Sequence, residues 1–133
     1  MQTTAYRTKN PYEALFGYSR AVRRGSHIFV SGTTSLSPHS ATPIIQHPGD
    51  AYHQTLAALT ESISAIEKLG GTKEDVVRVR LFVARHEDCD DVGRGMKEVL
   101  ADGNGAWAAT MIVGVAFVRE EMLVEVEVDA VVL

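Results

Sequence analysis

An α+β fold, with two helices stacked on one face of a single sheet, is what this sequence predicts. Three observations carry the prediction. Two strand-like runs flank a tight turn near the N-terminus, and two later stretches space their apolar residues by three and four. The C-terminal run Val124-Glu125-Val126-Glu127-Val128-Asp129-Ala130 alternates between apolar and acidic side chains.

Residues 1 to 16 show no clear period and are expected to form an arm. The first strand reads Phe16-Gly17-Tyr18-Ser19-Arg20-Ala21-Val22, the turn falls at Arg24-Gly25, and the second strand is Ile28-Phe29-Val30-Ser31-Gly32-Thr33-Thr34. It ends in a Gly32-Thr33-Thr34 corner. Glycine removes the side chain that would block an approaching ligand there, so backbone amides and small hydroxyls can converge on one. The Pro-, Ser- and His-containing connection from Ser35 to Gly49 is expected to be the most mobile loop.

From Asp50 the pattern is helical, because Leu56, Leu59, Ile63 and Ile66 fall on one face with Glu61 and Lys68 outside it. Asp50 is the expected N-cap, and Gly70-Gly71 ends the helix. After a turn at Thr72-Lys73-Glu74-Asp75, Val77, Val79, Leu81 and Val83 alternate with Arg78, Arg80 and Phe82, which marks a strand. A second helix is expected from about Asp90 to Leu100, carrying Val92, Met96, Val99 and Leu100, although Gly93 and Gly95 weaken it by ~1 kcal/mol each relative to alanine. Gly103-Asn104-Gly105 breaks the chain, and strands follow from about Trp107 to Phe117 and from Leu123 to Val132. On the last strand Glu125, Glu127 and Asp129 share the face away from the helices, where Arg78 and Arg80 offer opposite charge. Surface salt bridges worth ~0 to 1 kcal/mol would explain Glu127 and Asp129 without any function.

At 133 residues, 45% hydrophobic and 23% charged, the chain is read as one domain over 1–133. A net charge of −4, from 13 basic and 17 acidic side chains, offers no field for a polyanion, which argues against nucleic acid as a partner. No apolar stretch approaches the ~20 residues of a membrane helix, and no apolar N-terminal run follows a basic segment, so a cytoplasmic location away from membranes is expected. The single Cys89 sits in Glu87-Asp88-Cys89-Asp90-Asp91, where negative charge makes a thiol a poor nucleophile. His27, His39, His47, His53 and His86 show no metal-binding spacing, so neither a metal nor a cofactor is expected. Ser19, Ser31 and Ser35 lack a nucleophile elbow, and Gly93-Arg94-Gly95 lacks the spacing of a phosphate loop. Trp107 is expected to pack at an interface.

Five landmarks in this order and spacing resemble the RidA/YjgF family of small enamine/imine deaminases. They are Tyr18-Ser19-Arg20-Ala21-Val22, Val30-Ser31-Gly32, the helix ending in Gly70-Gly71, Asp75-Val76-Val77-Arg78-Val79, and Glu125-Val126-Glu127-Val128-Asp129-Ala130. The resemblance covers the chain from about Phe16 to Val132. It implies a chorismate-mutase-like fold of the bacillary type and a homotrimer whose open sheet faces enclose a barrel, with small-molecule clefts between subunits. It also implies hydrolysis of reactive enamines or imines without a cofactor. By the same resemblance Glu125 corresponds to the family's water-orienting glutamate, Tyr18 to a tyrosine lining the cleft, and Ser31-Gly32-Thr33 to a segment whose backbone faces the substrate.

One family feature is missing. The typical deaminase opens its penultimate strand with Pro-Ala-Arg, the arginine gripping the substrate carboxylate as a bidentate pair. Here the region reads Trp107-Ala108-Ala109-Thr110-Met111, so the arginine position falls on Ala109 or Thr110, and an ungapped count back from Glu125 favours Thr110. A cleft asparagine of many deaminases aligns with Gly93. Arg94, Arg23 and Arg20 are the candidate replacements for the lost cation, against the alternative that each is a solvated surface arginine. The expected function is hydrolysis of a small enamine, imine or related carbonyl compound other than the usual 2-imino acid. The rival is a noncatalytic small-ligand sensor with the same clefts. A ribonuclease or translation-inhibitor role, sometimes attached to relatives, is disfavoured by the acidic balance.

Overall fold

The structure, a computed structural model, describes residues 2–38, 40, 42–101 and 106–133. Among these residues six strands and three α-helices follow one another as β1 (Thr3–Tyr6), α1 (Pro11–Phe16), β2 (Ala21–Arg24), β3 (His27–Thr33), α2 (Ala51–Lys68), β4 (Val76–Val83), α3 (Cys89–Leu100), β5 (Ala108–Val113) and β6 (Val124–Val131), with single 3-10 turns at Lys73–Asp75 and His86–Asp88. The strands form one sheet in the order β1-β2-β3-β6-β4-β5, antiparallel throughout except for the parallel pair β4–β5. α2 and α3 lie together on one face of it, over a core that includes Ile28, Leu59, Ile66, Val79, Leu81 and Val126. The predicted α+β arrangement is therefore present.

The alternation along β6 folds as expected. Val124, Val126, Val128 and Ala130 are buried, while Glu125, Glu127 and Asp129 are partly exposed on the other face. There Arg80 donates to the Glu127 carboxylate at 2.8 Å and reaches Asp129 at 3.5 Å. Asp50 caps α2 by accepting from the His53 amide at 3.0 Å, and Gly70 adopts φ +89 just beyond the helix.

Four details differ from the sequence expectation. Residues 3–16 are not an arm. β1 pairs with β2, and α1 starts at an Asn10 cap with Pro11 in its first turn. Phe16 and Gly17 thus end a helix, with Gly17 left-handed at φ +73, instead of opening a strand; the strand begins at Ala21, and its hairpin turn is Gly25-Ser26. On α2 the buried face runs through the small residues Ala51, Thr55, Ala58, Ser62 and Ala65 beside Leu59 and Ile66, leaving Leu56 and Ile63 at its edges. Close approach of α3 accounts for this, since a Cβ on Gly95 would stand 3.0 Å from the Thr55 side chain. On β4 it is Val76 that is buried and Val77 that is 40% exposed, because the register with β6 shifts between Val76 and Arg78.

The Ser35–Gly49 connection is tied at its base. Leu36 and Ile45 form an isolated bridge and bury together with Met122. Trp107 packs against the chain's own core. The expected break at Gly103-Asn104-Gly105, and His39, lie outside the described residues.

Candidate functional site

The corner at the end of β3 owes its shape to a second irregularity. The pairing of β3 with β6 shifts between Val30 and Thr33, so Thr33 enters the core opposite Val126 and the intervening Gly32 lies against Glu125. A Cβ on Gly32 would stand 2.9 Å from the Glu125 carboxyl carbon and 3.1 Å from both its oxygens. Glycine at position 32 is what gives the carboxylate its place.

Glu125 faces a cavity of about 310 Å³, at the lower end of the usual range for ligand pockets. Its walls come from four parts of the chain: Asn10, Tyr12, Phe16 and Tyr18 in and around α1; Gly32 and Thr34 at the end of β3; residues 115–118 after β5; and Met122 before β6. The Tyr12 and Phe16 rings are parallel to within 2°, with centroids 6.3 Å apart. Among the described residues lining the cavity, Glu125 alone is charged. Burial raises the pKa of its carboxyl, the nearby Arg20 guanidinium pulls it back, and Glu127 adds a smaller upward push.

Arg20 lies behind this wall. It is 2% exposed, donates from Nη2 to the Gly32 carbonyl at 2.6 Å and has Nη1 3.8 Å from the Glu13 carboxylate, which is equally buried. The amide and hydroxyl of Thr8 donate to the same carboxylate. The guanidinium also stands 5.7 Å from the Tyr18 ring centroid. An internal ion pair therefore clamps α1 and Tyr18 to the backbone that supports Glu125.

Of the residues singled out in the sequence, Glu125, Tyr18 and Gly32 meet at this cavity. Ser31 and Thr33 do not line it: the Ser31 hydroxyl donates to the Ser19 carbonyl at 2.8 Å, and the Thr33 hydroxyl to the Ser31 carbonyl at 2.8 Å. Thr34 takes the expected place of Thr33. Gly93 on α3, and Ala109 and Thr110 exposed on the edge strand β5, are likewise absent from the lining. Thr110 sits opposite Arg80, which is in turn opposite Glu127, on the open face of the sheet.

The three candidate arginines separate clearly. Arg20 is not a solvated surface residue. Arg23 donates to the carbonyls of Gly25 and Leu69 and so binds the end of α2. Arg94 is exposed, pairs with Asp91 at 3.1 Å and covers the Tyr52 ring at 3.8 Å. The sequence reading missed Asn10, Tyr12 and Phe16 because it gave α1 no structure; the Asn10-Pro11 helix start and the glycine after Phe16 were the available signals. The His47 and His53 rings lie 5.3 Å apart at a 37° tilt, but His53 Nδ1 is engaged with Asp50 at 2.7 Å. Among the described residues no group of three or more potential ligands could hold a metal ion, and no helix is long and apolar enough to cross a membrane.

Residues 8–132 match the family described as Endoribonuclease L-PSP. An uncharacterized protein of Streptomyces coelicolor is 35% identical over 121 residues, spanning 91% of this chain and 86% of its own length. The crystal structure of a Mycobacterium tuberculosis member of the YjgF/YER057c/UK114 family superposes with a TM-score of 0.83 at 31% identity, covering 98% of this chain and 100% of that one. A protein of Dermatophagoides farinae named 2-iminobutanoate/2-iminopropanoate deaminase is 26% identical over 110 residues, or 83% of this chain and 81% of its own.

Proposed function

The chain belongs to the Endoribonuclease L-PSP family, that of YjgF and RidA, and on that premise we propose that it is a hydrolase of a small enamine, imine or related carbonyl compound lacking the usual substrate carboxylate. The observation that carries this reading is Glu125, a partly buried carboxylate held against Gly32 at the wall of a ligand-sized cavity with its pKa raised. Such a group suits general acid/base work.

An iminium carbon is already electrophilic, so the site has little to supply. Glu125 accepts a proton from a water molecule as that water adds to the C=N carbon. It then returns that proton to the nitrogen, which leaves as ammonia as the C–N bond breaks, while Glu125, again ionised, takes the carbinol O–H proton and the oxygen becomes a carbonyl. Tyr18 and the corner backbone position the substrate. The deaminase name of the mite relative supports the reaction class.

Among the described residues of one chain the cavity offers no cation to a 2-imino acid, and losing one charge-assisted contact of ~1.5 to 3 kcal/mol corresponds to roughly 10- to 150-fold. The expected result is a kcat/KM for 2-iminobutanoate at least ~10-fold below that for an alkyl imine without a carboxylate, the latter made in the cuvette by an amine oxidase. Equal or faster turnover of the imino acid would refute this substrate class. Binding of the alkyl imine without turnover would favour the second reading, a noncatalytic small-ligand sensor with the same cavity.

We also propose a homotrimer. The sheet face opposite the helices exposes Phe29 to 45% and Ile112 to 38%, flanking the Arg80–Glu127 pair, and no element of the chain covers it among the described residues. Gly93, Ala109 and Thr110 lie away from Glu125 within one chain, so a part in the site would have to come through a neighbouring copy. Light scattering should return three times the 14.5 kDa chain mass at micromolar concentration; a stable monomer would rule the assembly out.

A further inference from the structure

The charges around the cavity do not balance. Arg20 is the cation that acts on Glu125, but its guanidinium points into the protein, engaged with the Gly32 carbonyl and beside the Glu13 carboxylate, and both members of that pair are 2% exposed. A ligand in the cavity cannot reach it. Arg20 is shared with Glu13 behind the wall, and the next cation on this face, Arg80, is held by Glu127 and Asp129. Glu125 is therefore the one charged side chain among the described residues lining the cavity, and it shares that lining with the rings of Tyr12, Phe16, Tyr18 and Phe117 and the neutral polar side chains of Asn10 and Thr34. Ring faces attract cations and have nothing to offer a carboxylate.

We propose that this cavity takes a small ligand with an apolar body and a cationic nitrogen, an ammonium or iminium group, and discriminates against carboxylates of the same size. The inference rests on the reading of the Glu125 cavity as the ligand site and adds the sign of charge it selects. An anion placed there meets Glu125 with neutral donors and no cation among the described lining residues, whereas an ammonium or iminium N–H donates to the carboxylate in a charge-assisted bond while its apolar body lies against the rings. The same preference would concentrate the protonated imine, which is the more electrophilic form.

The test is a set of non-hydrolysable probes matched in size: phenethylamine, 2-phenylethanol and 3-phenylpropanoate, titrated by NMR near pH 7. The amine should bind about 10- to 100-fold more tightly than the acid, with the alcohol between them. Glu125→Gln should bring the amine down to the alcohol, while Glu127→Gln should leave the order intact. A second arm needs no substitution: in the unchanged protein, amine affinity should fall as pH drops through the raised pKa of Glu125, while alcohol affinity stays constant. Acid binding as tight as amine binding, an amine preference that survives Glu125→Gln, or no binding of any probe at 10-millimolar order would overturn the inference. Because no probe turns over, amine preference without imine hydrolysis supports the inference and removes the hydrolase reading, and hydrolysis without amine preference does the reverse.

Discussion

Glu125→Gln is expected to lower kcat/KM for the true substrate by about 10²- to 10⁴-fold, the usual span of general acid/base assistance. Glu127→Gln, two residues along the same strand face, should change it less than ~5-fold, since Glu127 is engaged with Arg80 at 2.8 Å on a partly exposed surface where ion pairs contribute ~0 to 1 kcal/mol. Steady-state kinetics on both variants checks the contrast; equal, small losses would make Glu125 one more charge on the open face. The pH profile gives a second readout. The ionised form of Glu125 is the base, so activity should fall as pH drops through a pKa lying above the ordinary 4.5, and that limb should vanish in the glutamine variant. Stability runs the other way. Because the folded pKa is raised, the native state binds more protons than the unfolded chain between the two values, and stability declines as pH rises through that window. Above that window the fold bears the penalty of an ionised, partly buried carboxylate. Glu125→Gln should melt no lower than the unchanged protein, so lost activity with a preserved or raised melting temperature separates a catalytic role from a structural one.

Much of this arrangement was legible in the sequence wherever one period governed a whole element. β6 could be read residue by residue because its two faces differ in chemistry, valine against acid, and a strand of period two leaves no other placement. The start of α2 was legible in Asp50 and its end in Gly70, since a cap is a local event. The reading failed where two strands pair out of step. The shift beside Val76 put the wrong valine in the core, and the shift between Val30 and Thr33 sent Thr33 inward, leaving only Gly32 and Thr34 of the expected corner at the cavity. A bulge is a property of a pair of strands, so neither strand records it alone. β1 escaped because an edge strand of Thr3–Tyr6 exposes most of its residues and has no alternation to display. Arg20 escaped for a different reason. Arginine is almost never fully buried unless paired, and its partner Glu13 belonged to a stretch without any visible period.

Arg20→Met is expected to destabilise the fold by about 3 to 5 kcal/mol, the range seen when one member of a buried ion pair is removed and the other is left charged. Glu13 would keep its bonds from Thr8 and lose its cation, and the Gly32 carbonyl would lose its 2.6 Å donor. Arg20→Met combined with Glu13→Gln removes both charges, and should recover at least half of that loss, because a neutral amide can still accept from Thr8. Denaturant titration of the three proteins measures the coupling; a cost under ~1 kcal/mol for the single change would mean that the pair, at 3.8 Å, does not hold α1 in place. The double variant also isolates an electrostatic effect from a folding one. Arg20 is the group that lowers the Glu125 pKa against the raising effect of burial, so removing it should carry the acid limb of activity to still higher pH in a protein that remains folded. An unmoved limb would show that Arg20 supports the corner by its hydrogen bond to Gly32 alone. A shifted limb would make the pair Glu13–Arg20 a positioning device with an electrical output: α1 supplies the cavity's aromatic wall, and the ion pair that fastens it also sets the pH at which the carboxylate opposite that wall becomes a base.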